Sequence, residues 1–145
     1  TPAGATLQVI PIYWKPVFEA IGTIAAVDVL LVIGSGAVMG ANSVASTLVN
    51  TNEASNNATG CTITTIGDTG GTGITISRYV YREGGTHLTG VAATGQTLMP
   101  EWSATKSGYL HVLSGASKQV AGFASGQAST GFMHYVQAEL PAGSV

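Results

Sequence analysis

Charge is what this sequence has least of. Only five of its 145 residues are Lys or Arg and seven are Asp or Glu, 8% of the chain, against roughly 25% in an ordinary soluble domain. With so few cations, a net charge of −2 and a pI near 5.8, it has no clustered basic surface with which to hold phosphates, so direct nucleic-acid binding is not expected. There is one cysteine, Cys61, which excludes an internal disulfide and any multi-cysteine zinc site. Three histidines, His87, His111 and His134, show no i,i+4 pair of the metal-binding kind. Disorder is excluded from the opposite side. The chain is 45% hydrophobic with a mean hydropathy of +0.33, whereas disordered chains are charged and poor in apolar residues.

What fills the space is small. There are 20 glycines, and Gly, Ala, Thr and Ser together make up nearly half the chain. Residues 29–52 and 119–138 contain no Asp, Glu, Lys or Arg. Soluble monomers keep apart through mixed surface charge, and these stretches lack it. Small side chains also lose little conformational entropy when a neighbour covers them. The composition therefore suits burial in an assembly.

The apolar window Ala20 to Ala41 is long enough to span a bilayer. Asp28 near its middle, four interrupting glycines and the absence of flanking Lys or Arg read against a membrane span. Its β-branched residues fit a buried strand: Ala26 to Ile33 is an apolar run broken only by Asp28 and ended by Gly34-Ser35-Gly36, the pattern of a strand covered on both faces. Residues 6–14 also read as extended. Pro2, Pro11 and Pro16 remove amide donors and keep this segment out of a helix or a central strand. Residues 37–49 permit one short helix. Residues 50–60 are a polar loop by turn chemistry. Further short strands are expected at 61–66, 74–81, 87–93, 96–102, 108–113, 118–124 and 131–140, with Glu83-Gly84-Gly85 ending the second. Turn signals every 8–12 residues mark a sandwich or barrel. The expected fold is all-β: a single β-sandwich or barrel-like domain over 17–145, preceded by an extended N-terminal arm over 1–16.

No motif outweighs its plainer reading. Gly34-Ser35-Gly36-Ala37-Val38-Met39-Gly40 follows an apolar run as a dinucleotide loop would, but Met39 stands where the third glycine belongs. Asp68-Thr69-Gly70 matches the catalytic triplet of aspartic proteases. Gly67 precedes it in place of bulky apolar residues, and Gly71-Thr72-Gly73 makes it hairpin turn material. No Gly-x-Ser-x-Gly elbow has a strand–helix context. Asn57-Ala58-Thr59 is a glycosylation sequon that matters if the protein is secreted. The sequence accordingly reads as a non-enzyme, with no catalytic residues, metal or cofactor.

The function expected from these features is structural self-assembly. A virion coat or capsid decoration (cement) subunit fits best, its partners being copies of itself or a major capsid protein lattice. The alternatives are an extracellular, cell-surface filament or pilus-like subunit joined by donor-strand exchange and a carbohydrate- or receptor-binding β-sandwich module, which needs a concave site containing Trp102 and Tyr109. The expected assembly interface is the arm: Leu7, Val9, Ile10, Ile12, Tyr13 and Trp14 put apolar groups on both faces of an extended segment, which a lone surface edge cannot cover.

Overall fold

A computed structural model describes residues 6–21, 25–36, 43–46, 61, 63–66, 73–87, 100–115, 118–125 and 129–145. In chain order the described strands are β1 (Leu7–Ile21), β2 (Ala25–Ser35), β3 (Ser43–Ser46), β4 (Ile63–Ile66), β5 (Thr75–His87), β6 (Trp102–Ser103), β7 (Leu113–Ser114), β8 (Lys118–Ser125) and β9 (Ser129–Pro141). One helical turn, α1 (Ala104–Ser107), lies between β6 and β7. Two antiparallel sheets form the all-β sandwich. In the first, β1 is central, with β9 along one side and the short β6 and β7 along the other; in the second, β2 lies between β5 and β8. β3 and β4 pair separately.

The apolar run read as a two-face-buried strand is the centre of the second sheet. Val29, Leu30, Leu31, Val32 and Ile33 are all buried. Val29, Leu31 and Ile33 face the other sheet, where they meet Val9, Trp14, Trp102, Ala104 and Leu113. Asp28, the charge that spoiled the membrane reading, is paired: the Arg82 guanidinium donates to its Oδ2 at 2.6 Å. Gly84 stands opposite Asp28 in the ladder, and a Cβ there would lie 2.7 Å from the Asp28 carboxylate. Glu83-Gly84-Gly85 thus continues β5 instead of ending it. Among the described residues no helix is long and apolar enough to cross a membrane.

Of the N-terminal arm expected over 1–16, residues 7–16 are part of a strand of the first sheet, and residues 1–5 lie outside the described residues. Residues 7–21 form one continuous strand that passes the expected boundary at residue 16 and pairs with β9 over nearly its whole length. A β-bulge is the reason. Pro11 faces Gln137 and Tyr13 faces Val136, so Ile12 is an extra residue in β1. A bulge of this kind reverses the alternation of side chains beyond it. Leu7 and Val9 before it, and Trp14 and Phe18 after it, therefore all pack on the same core. The bulge thus brings Leu7, Val9, Trp14 and Phe18 onto one face, while Ile10 is buried on the other.

Pro11 is tolerated in this central strand because the ladder is already interrupted around it. On one side lies the bulge; on the other, β7 pairs Gln8 and Val9 while β6 pairs Tyr13 and Trp14, leaving a gap between them. Such sites accept proline.

Three smaller expectations also change. Within 37–49, residues 43–46 are strand, and the only helix among the described residues is α1. Ser103 caps α1 by accepting from the Lys106 amide, and Gly108 closes it with φ of 78°. Residues 108–112 form a loop in place of the expected strand. The regular alternation read over 74–81 is broken by extra residues at Ser77 and Val80 in β5, and Val80 and Tyr81 both pack on the core. The expected strands at 118–124 and 131–140 are β8 and β9. Of the strand expected at 87–93, only His87 is described, at the end of β5; its remainder and most of that at 96–102 lie outside the described residues.

Candidate assembly surface

The sequence-nominated interface residues are largely consumed within the chain. Trp14 is fully buried, Val9 and Ile10 nearly so, and Leu7, Ile12 and Tyr13 are half-buried. The Trp14 indole meets Tyr81 edge-on at 5.8 Å between ring centres and lies against Gly122 of the opposite sheet. A side chain at Gly122 would collide with that ring. Leu7, Val9 and Trp14 pack between the two sheets. Asn57 lies outside the described residues.

A second group of polar and aromatic side chains gathers around His111. The ring is buried and stands 6.1 Å from Trp102 and 5.0 Å, edge-on, from Tyr109. Arg78 Nη1 lies 3.4 Å from His111 Nδ1. A guanidinium can only donate, so Nδ1 accepts and the proton of the neutral ring sits on Nε2. Nε2 has no hydrogen-bond partner among the described residues. Burial, with the Arg78 charge adding to it, holds the imidazole below its ordinary pKa. This favours a neutral, packed histidine. Among the described residues no three His, Cys, Asp or Glu side chains group as a metal site would require. His134 is exposed on β9, and the side chain of His87 is outside the described residues.

Trp102 is buried in the core and does not share an open site with Tyr109. Tyr109 instead borders a groove of about 340 Å³ with Ile12, Ala104, Thr105, Gly108 and Leu110. Nearby, Glu101 accepts from Lys106 Nζ at 2.5 Å and has Lys15 at 4.0 Å. The Lys106 hydrogen bond holds the Glu101 carboxyl below, and the Lys106 ammonium above, their ordinary values. Tyr81 donates to Glu83, and its phenol is pushed up to about 12, first by burial and then by that carboxylate.

Tyr109 and Leu110 at this groove, and Val112 beside it, are exposed, and further exposed apolar side chains lie on the strands. Phe123 stands on β8, and Phe132, Met133 and Val136 stand on β9, with Phe132 52% exposed. Phe132, His134 and Val136 share the outer face of β9, and the Phe132 and His134 rings meet edge-on at 5.4 Å. All four apolar residues belong to the charge-free stretch 119–138. The other such stretch, 29–52, begins in the buried core of β2, where lack of charge needs no other explanation. Cys61 lies against the far end of β9, where burial raises its thiol pKa, partly offset by a hydrogen bond with Gln137, while Glu139 raises it further. Burial also raises the Tyr135 phenol, with Cys61 and Glu139 adding to the effect. The absence of charge over 119–138 was legible in the sequence. What sequence reading missed was which of its residues point outward.

Comparison with known protein families, curated proteins and solved structures finds no match for this chain.

Proposed function

We propose that this protein is a structural subunit that works by self-association, as a virion coat or capsid decoration protein built on a β-sandwich. The observation that carries the reading is the pairing of exposed Phe123, Phe132, Met133 and Val136 with a stretch of twenty residues, 119–138, that has no Asp, Glu, Lys or Arg. On a free monomer, an apolar strand face without charge is an association hazard. In an assembly it is a contact. Phe123 points out from the second sheet and Phe132 and Val136 from the first, so the contact proposed is that of β9 in place of residues 7–14.

The filament reading by donor-strand exchange loses its donor, because β1 completes its own sheet. The carbohydrate-binding reading loses Trp102 to the core. Sedimentation velocity over a wide concentration range, with electron microscopy of the concentrated protein, tests the proposal. Concentration-dependent oligomers or regular particles are expected. A monodisperse monomer at millimolar concentration would refute it.

A further inference from the structure

Edge strands are normally protected from pairing with other chains by lysine, proline, bulges or inward-pointing charge. β9 is protected at neither its middle nor its start. It pairs with β1 and with no other described strand. Both bulges in that ladder put the extra residue, Ile12 or Glu19, in β1, so β9 keeps an unbroken two-residue alternation. Its one proline, Pro141, is the last residue of the strand. Cys61 occupies the neighbourhood of Gln137 and Glu139, and among the described strands none but β1 pairs with residues 131–136. Gly131, Phe132, Met133, His134 and Val136 are all exposed there.

We infer that β9 pairs antiparallel with β9 of a second copy, about a two-fold axis at His134, and joins the two first sheets into one. The inference rests on the self-association reading above and names its contact. A second copy is the occupant because the part of β9 from Ser129 to Ala138, which has no Asp, Glu, Lys or Arg, meets its own copy without like-charge repulsion while His134 is neutral, which a partner selected by charge would not require. A two-fold axis perpendicular to the sheet makes one residue face itself. The segment 132–136 is centred on residue 134. That register sets Phe132 opposite Val136 of the second copy, twice, on the outer face, an aromatic–β-branched pair of the kind that stabilises sheets. It sets Met133 opposite Tyr135 on the core side.

Covering these side chains removes on the order of 500 Å² of apolar surface across both copies. Stable interfaces bury about 1,200–2,000 Å², so a single β9 pair is transient and gains strength where many copies repeat it.

The test uses the full chain with Cys61→Ser and one introduced cysteine at a time. Facing Cβ atoms lie about 5 Å apart in an antiparallel pair, whereas a four-residue offset separates them by about 13 Å. A thiol cross-linker reaching about 8 Å is expected to dimerise His134→Cys alone. It is expected to spare Phe132→Cys and Val136→Cys taken singly, and to join these two when mixed. In the otherwise unaltered chain, Phe132→Lys is expected to weaken self-association on the order of tenfold or more, because the symmetric contact counts the change twice. Circular dichroism checks that this variant folds; should it not, the cross-linking series decides. Self-association without the His134→Cys cross-link overturns edge pairing and leaves the self-association reading standing. A monomer at every concentration overturns both.

Discussion

Adding a single methyl group at Gly122 tests how the two sheets meet. A Cβ built there would lie 2.5 Å from Trp14 Nε1, 2.9 Å from Cε2 and 3.0 Å from Cζ2. Neither side can give way easily. Gly122 is fixed in β8 opposite Leu31 of the central strand β2. The Trp14 ring is fully buried and held edge-on by Tyr81. Overpacking of this kind costs about 1–3 kcal/mol, offset by roughly 0.5–1 kcal/mol because alanine has less backbone freedom to lose than glycine. Gly122→Ala is therefore expected to destabilise by about 1–2 kcal/mol, lowering Tm by roughly 3–8 °C in a domain of this size. Urea unfolding followed by tryptophan fluorescence measures it. Trp14→Phe removes the ring atoms that would clash, together with an indole N–H that has no partner among the described residues. In the double variant the alanine should then cost little, leaving a coupling of about 1 kcal/mol or more in the cycle. A neutral or stabilising Gly122→Ala, or strict additivity with Trp14→Phe, would refute this packing of the sheets.

Removing residues 1–14 is expected to leave the chain unfolded, because β1 then loses Val9 and Trp14 from the core; a dispersed amide spectrum from the truncated chain would contradict it. His111 gives a pH dependence of definite sign. Its folded-state pKa is lowered by burial and by Arg78, so the unfolded state binds the proton more tightly. Its stabilising contribution is complete above about pH 6.5, the ordinary histidine value, and is lost as pH falls through the folded value. Denaturation curves between about pH 5 and 6.5 should flatten in His111→Gln relative to the unaltered chain. The Asp28–Arg82 pair is largely exposed, so Arg82→Ala should cost no more than about 1 kcal/mol, read from the same denaturation midpoint.

The fold class came from residues whose meaning is local. β-Branched runs between glycine-rich turns give strands in almost any all-β context, and the uninterrupted run Val29–Ile33 reads as a strand covered on both faces. β8 and β9 were legible for the same reason. The role of β1 was not. Pro11 argued for an edge, and apolar groups on both faces argued for a partner chain; each inference assumed a regular strand. One extra residue at Ile12 reverses the alternation, and a gap between two short neighbours makes room for the proline. Neither feature has a signature in the chain itself, because a bulge exists only relative to the strand it faces. Glu83-Gly84-Gly85 misled in the same way, since the glycine at 84 leaves room for the Asp28 carboxylate across the ladder. The stretch free of charge at 119–138 was plain from composition. Which of its side chains are buried and which stand in solvent was decided by the register of β9 on β1, a property of two strands together.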